Sequence, residues 1–261
     1  MTRPLRLAVN GASGRMGRAL LGLLEVDDKA ELLHAVVAPG SIHDGQRVLG
    51  AGALRYAHDW KQAPPLDVIV DFSSPAALEP ALDHCLAHGI ALVSGTTGID
   101  SASAARLTEA SRQIAVLRAA NFSLGVAVLT RLLREAASAL SAWDLEIVEA
   151  HHGRKRDAPS GTALALGEAA AAARHTTLDA VAAFERAGER AEGSIGFAVI
   201  RGGDIVGEHQ AMLIGPGERL ELVHRATDRS IFARGALHAA HWLAGQPAGQ
   251  WQLDDVVATL R

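Results

Sequence analysis

A strand, a glycine turn and a helix open the chain, and this arrangement narrows the possible folds more than any other stretch. Leu5 to Asn10 is a short apolar run of the kind that forms a buried strand. Gly11-Ala12-Ser13-Gly14-Arg15-Met16-Gly17 follows, and Arg18 to Glu25 has helical spacing. Glycines permit a tight turn and a close backbone approach to a pyrophosphate, whose charge then rests at the helix N-terminus. The spacing is GxxGxxG, a variant of GxGxxG. A dinucleotide site is the functional reading; a plain strand-to-helix turn is the other.

The same alternation continues. Glu31 to Ala38, Asp67 to Phe72, Ile90 to Ser94 and Ile114 to Leu117 read as strands, with helices over Ser74 to His88 and Ser101 to Arg112. Gly40 to Pro65 is loop-rich, with room for one short strand. Alternating β and α elements predict a Rossmann-like, doubly wound parallel sheet, assigned to residues 1–122. Such sheets bind ligands beyond the carboxyl ends of their strands. Gly11 to Gly17, Gly95-Thr96-Thr97-Gly98 and Ala119-Ala120-Asn121-Phe122 all fall at such ends and converge on one crevice as candidate cofactor segments. The second strand runs out in Val36-Val37-Ala38-Pro39-Gly40-Ser41, with neither an acid for ribose hydroxyls nor an arginine for a 2′-phosphate. The choice between NADH and NADPH is therefore not written there. Ser41 and His43 are either substitutes or ordinary loop residues.

After a long helix over Leu124 to Leu140 the composition changes. Ser194 to Ile200, Asp204 to Ile214 and Arg219 to Ala226 read as strands joined by short turns, which implies antiparallel neighbours. A second, α+β domain with a mostly antiparallel sheet is expected over residues 123–229. Val181 to Gly193 is charged and reads as a mobile stretch. One apolar sheet face needs a cover, which a partner subunit can provide. Helices over Ser230 to Leu243 and Trp251 to Leu260 make residues 230–261 a C-terminal segment that returns to the first domain.

The densest chemistry lies in Glu149 to Thr162, EAHHGRKRDAPSGT. A strand-like Asp144 to Glu149 precedes it, and an Ala/Leu helix, Ala163 to Ala173, follows. Ser160-Gly161-Thr162 opens that helix, where free N–H groups and the dipole suit an anion. Arg154, Lys155 and Arg156 add positive charge. The chain has three lysines among 25 Lys plus Arg, yet one stands between these two arginines. Lysine can give up a proton where arginine cannot. The segment suits a carboxylate or phosphate, with His and Lys to move protons. A solvated basic loop before a capped helix is the plainer alternative.

Other classes fit poorly. A net charge of −4 argues against general nucleic-acid binding. Cys85 is the only cysteine, so no intrachain disulfide forms and a reducing compartment is expected. No leader pattern or bilayer-length apolar run is present, so the expectation is a cytoplasmic protein without a membrane role. His151 with His152, His209, and His238 with His241 invite a metal, but no cysteine pair or HExxH supports one. The expectation is no metal site.

Taken together, GASGRMGR, DFSSP, SGTTG, AANFSLGV, EAHHGRKRDAPSGTA, GDIVGEH and FARGAL, in this order and nearly end to end, resemble the 4-hydroxy-tetrahydrodipicolinate reductase (dihydrodipicolinate reductase) family. The resemblance implies a Rossmann cofactor domain with a substrate and tetramerisation domain. It also implies hydride transfer from NADH or NADPH to a cyclic dicarboxylate, in diaminopimelate and lysine biosynthesis. It makes His151 a proton donor or acceptor and Lys155 a proton donor. His152, Gly161 and Thr162 match substrate contacts, with Ser160 at the helix start beside them. It assigns Gly11 to Met16, Gly95 to Thr97 and Ala119 to Phe122 to the cofactor, and implies a homotetramer. Another NAD(P)-dependent enzyme on the same scaffold, or a non-enzymatic NAD(P)H sensor, remains as an alternative. The sensor leaves Lys155 and the histidines unexplained.

Overall fold

The computed structural model describes residues 3–185 and 187–260. In chain order the elements are β1 (Leu5–Asn10), α1 (Arg15–Leu24), β2 (Ala30–Val36), β3 (Tyr56–Ala57), β4 (Val68–Asp71) and α2 (Pro75–His88). Then come β5 (Ala91–Ser94), α3 (Ser101–Ala110), β6 (Ala115–Arg118), α4 (Leu124–Ala139), β7 (Asp144–His151) and α5 (Gly161–Ala173). The remainder is α6 (Leu178–Val181), β8 (Ala182–Ala183), β9 (Ile195–Arg201), β10 (Gly207–Gly215), β11 (Glu218–Ala226), α7 (Ser230–Leu243), β12 (Gly249–Trp251) and α8 (Leu253–Thr259). Two compact units result, one running to Leu124 and resuming at Ser230, the other Gly125–Arg229.

In the first unit the described strands form one sheet ordered β12-β6-β5-β4-β1-β2-β3, with every pairing parallel. Its central strands are buried on both faces, as parallel strands flanked by helices must be; Leu7, Val9, Ile69, Val70, Leu92 and Val93 have no exposed surface. Ile69, Leu78, Leu82, Cys85, Leu92, Leu107 and Val116 belong to one core cluster. Burial, with Asp71 nearby, pushes the Cys85 thiol up, so this cysteine packs and does not react. Residues from Ser230 on do fold within this unit. Helix α7 packs on α1, β4 and β5. Gly235 lies so close to the backbone of Phe122 that a Cβ there would meet the Phe122 carbonyl oxygen at 1.8 Å. Strand β12 extends the sheet beside β6; three residues are too few for a periodic signal in the sequence.

The second unit holds a mixed sheet ordered β11-β10-β7-β9-β8. The β10–β11 pair is a hairpin turned by Pro216 and Gly217, whose φ of +80° suits a type II turn. The other short connection behaves differently from the sequence expectation. β9 and β10 are not neighbours: β7 lies between them, antiparallel to β10 and parallel to β9. The chain leaving β9 passes the end of β7, where the Gly202 amide donates to the His151 carbonyl at 3.0 Å. The short-turn rule assumes adjacency, and a five-residue link is long enough to step over one strand. The charged stretch 181–193, expected to be mobile, is anchored in its described part. Arg190 pairs with Asp144 and Glu146 and donates to the carbonyls of Leu145 and Ser194.

Alternation sorts this sheet's side chains. Leu145, Ile147, Glu149 and His151 of β7 face inward, as do Ile195, Phe197 and Arg201 of β9 and His209, Ala211 and Leu213 of β10. The apolar half of this face packs against α4 and α5 through Leu129, Leu133, Leu166 and Ala170. The polar half lies at one end, and the candidate site is built on it.

Candidate active site

In the second unit, β7 carries its inward alternation past the apolar core, which delivers Glu149 and then His151 to the polar end. Glu149 is 1% exposed. Its Oε2 accepts from His151 Nδ1 at 2.5 Å, and its Oε1 accepts from the Ser160 amide at 2.9 Å. Arg201 straddles the same carboxylate, one guanidinium nitrogen donating to Oε2 at 2.8 Å and the other to Oε1 at 2.7 Å. Burial would raise the Glu149 carboxyl. Arg201, the His151 ring and the Ser160 amide outweigh it and hold the carboxyl below the usual range.

His209 stands edge-on to His151, with ring centroids 5.2 Å apart. Burial first, then the charge of His151, pushes its ring down to about 4. Its Nε2 lies 3.3 Å from Ser160 Oγ, and that hydroxyl also accepts from the Ala163 amide at 3.2 Å. Ser160 is therefore the cap of α5 and is 2% exposed. Both its amide and its hydroxyl are engaged within the protein. Gly161 follows as the first helical residue, and a Cβ added there would meet nothing within 4 Å. Early amides of a helix have no intrahelical acceptor, so this end presents donors and space together.

The remaining expected residues gather around this point. Lys155 Nζ pairs with Asp157 Oδ2 at 2.8 Å, and the Lys155 amide donates to the His152 carbonyl at 3.1 Å. That pairing holds the Asp157 carboxyl low. The His152 ring is pushed down by burial and then by Arg229, Arg154, His151 and Lys155. Thr162 occupies the second position of α5. On the far side of the His151 ring is Gly207, where a Cβ would come within 3.1 Å of His151 Nε2. The sequence marks Glu149 only as the start of the loop segment and His209 only as a metal candidate, and it does not mark Arg201. The signal was present: each stands at an inward position of a strand that also turns apolar residues inward, Leu145 and Ile147, Ile195 and Phe197, Ala211 and Leu213.

In the first unit, Gly11 turns with φ +79°, and a Cβ there would strike the Phe72 carbonyl at 2.3 Å. Helix α1 starts after Gly14 with no side-chain cap and no acid in its first turn. Its opening amides are thus left for an anion, which fits a dinucleotide pyrophosphate. Ala12 is fully buried, Ser13 and Met16 are half-buried, and Gly14 and Arg15 are exposed. A buried carboxylate, Asp71, ties the neighbouring strand ends together. It accepts from Asn10 at 2.8 Å, Ser73 at 2.5 Å, Ser94 at 2.8 Å and Thr96 at 2.7 Å. The Thr96 side chain is thereby turned inward, Gly95 lies against the Phe72 ring, and Thr97 is exposed. The Ala119 amide donates to the Ser94 carbonyl at 3.1 Å, Phe122 is buried edge-on against Phe72, Asn121 is half-buried and accepts from the Ser123 amide at 2.8 Å, and Ala120 is the exposed member of that segment.

A cavity of about 920 Å³ opens where β2 ends, lined by Ala38 and Pro39 together with His58, Asp59, Trp60 and Lys61. β3 runs parallel to β2, so its exit brings these residues to the place where the sequence offered no reader of the ribose. Ser41 and His43 do not line this cavity; the Ser41 hydroxyl accepts from the His43 amide at 3.2 Å, and the His43 ring packs on Tyr56. Among the described residues, no group of three or more His, Cys, Asp or Glu side chains is placed to hold a metal ion.

A parallel sheet with a glycine turn, followed by a separate mixed-sheet unit, is an architecture shared with solved dehydrogenases and reductases. A dipicolinate-bound dihydrodipicolinate reductase from Paenisporosarcina sp. TG-14 superimposes with a TM-score of 0.80 at 20% identity, over 97% of this chain and 99% of that one. A diaminopimelate dehydrogenase from C. glutamicum does so at 0.57 and 14%, over 100% and 97%. Sequence narrows the class further. Residues 5–122 match the model of the dihydrodipicolinate reductase N-terminus, and residues 125–257 that of its C-terminus. The 4-hydroxy-tetrahydrodipicolinate reductases of Xanthomonas campestris pv. campestris and Stenotrophomonas maltophilia are 48% and 46% identical, over 98% and 97% of this chain and 99% and 98% of theirs. This chain belongs to the dihydrodipicolinate reductase family.

Proposed function

We infer that the chain reduces 4-hydroxy-tetrahydrodipicolinate to tetrahydrodipicolinate, with NADH or NADPH as reductant, in the diaminopimelate route to lysine. One observation carries the reading beyond family membership. His151 ends β7, and Lys155 stands in the cationic loop that follows it and runs to the open start of α5. A substrate with carboxylates and a ring that must be protonated needs those elements. His152, Gly161 and Thr162 hold a carboxylate, and Ser160 sets the helix start from beneath. Lys155, released from Asp157, supplies a proton, and His151 exchanges one through Nε2.

The unit running to Leu124 holds the cofactor, which supplies hydride when bound. Gly11 to Met16 take its pyrophosphate at the uncapped helix, and Gly95 to Thr97 and Ala119 to Phe122 border it. The pocket beyond β2 mixes Lys61 and His58 with Asp59. That mixture supports acceptance of both NADH and NADPH. The outer face of the Gly125–Arg229 sheet exposes Ile200, Ile214 and Val223, apolar surface that supports a homotetramer. The test is oxidation of NADH and NADPH by the purified chain when freshly made dihydrodipicolinate-synthase product is added. Substrate-dependent oxidation is expected with both, and none with either would remove the reading.

A further inference from the structure

A carboxylate that is almost fully buried, yet ionised, must be held for a reason that its own solvation does not provide. Glu149 receives four donors: two from Arg201, one from the Ser160 amide and one from the His151 ring. The fourth, at 2.5 Å, fixes the orientation of a ring that the proposed reaction uses. With Nδ1–H bound to Glu149, the neutral ring carries its lone pair on Nε2, the atom that lies against Gly207. The ring is walled by His209 on β10 and lies near Lys155 and His152 of the loop.

Resting on the reductase reading above, we propose that Glu149 is the positioning residue of the site. Through one carboxylate it sets the tautomer and direction of His151 and, by the Ser160 amide, the start of the anion-binding helix. Arg201 is the counter-charge that keeps this carboxylate an acceptor on both oxygens. Glu149 touches no reacting atom and acts through His151, in the manner of a buried acid that orients a catalytic imidazole. One side chain thereby couples the proton-transfer group to the carboxylate pocket.

The test uses ring ¹⁵N and ¹H NMR of the full chain, with the His151 signals identified by their loss in His151→Gln. The wild-type ring is expected as the Nδ1–H tautomer with a strongly downfield Nδ1 proton. In Glu149→Gln that proton signal should disappear, and kcat should fall by roughly 10²–10⁴-fold, the span that general acid–base catalysis supplies. KM for NADPH should stay within about twofold, and the loss should vanish when Glu149→Gln is made in the His151→Gln background. A wild-type ring protonated at Nε2, or an equal loss in both backgrounds, would overturn the proposal. The wild-type signature requires no variant to fold. It also needs no turnover, so an inactive wild type with the expected ring signature would count against the reductase reading alone.

Discussion

His209 is buried as a neutral ring, and the cost of that burial appears in acid. Its ring titrates at about 4 in the folded chain, against about 6.5 when unfolded. Above pH 6.5 neither state binds the proton and nothing is lost. As the pH falls from 6.5 to about 4 the unfolded state gains a proton that the folded state refuses, so stability declines. The loss is on the order of 3 kcal/mol across that window. Glu149 has the same sign but acts lower, because a depressed carboxyl stabilises above its unfolded value and loses this as the pH drops through its folded one. Urea midpoints should therefore fall already between pH 6.5 and 5, before carboxylates titrate, and His209→Phe should flatten that first decline. Equal midpoints at pH 7 and 5 in the wild type would contradict the burial argument. Lys61 poses a second question at this scale. With His58 and Asp59 beside it, NADH and NADPH should bind within about tenfold of one another, or 1.4 kcal/mol. Lys61→Glu should weaken NADPH alone, as fluorescence titration would show, because only that cofactor carries the 2′-phosphate.

Helix α5 is the element whose purpose is most open to test. A side chain at Gly161 meets empty space within the protein. Gly161→Val should therefore leave the melting temperature close to wild type while raising substrate KM and weakening competitive inhibition by pyridine-2,6-dicarboxylate. Unchanged KM and inhibition would make the loop a structural connection only. Elements were also where the sequence was most and least legible. The alternation of buried strands and helices gave the parallel sheet, because its central strands β4, β5 and β6 are short apolar runs. Glycine gave the turn before α1, because only glycine fits beneath Phe72. The order of the mixed sheet was hidden, since insertion of β7 between β9 and β10 depends on pairings far apart in the chain. The candidate site was half legible. Its loop announces itself by composition, whereas Glu149, Arg201 and His209 are recognisable only once Leu145, Ile147, Phe197 and Leu213 are known to share their face.

At the scale of the molecule, the exposed apolar face of the Gly125–Arg229 sheet should be covered by other copies of the chain. Light scattering should give a mass of four chains, and Val223→Asp should lower it. A monomer at micromolar concentration would remove the assembly argument. The central claim is that this chain is a reductase whose loop from His151 to Thr162 supplies the protons. Arginine retains the charge of Lys155 but gives up no proton at neutral pH. The most direct measurement is kcat for NADPH oxidation with freshly made synthase product, in wild type, Lys155→Arg and Lys155→Ala side by side. Both variants should lose roughly 10²–10⁴-fold with cofactor affinity unchanged. Wild-type kcat in Lys155→Ala would contradict the account.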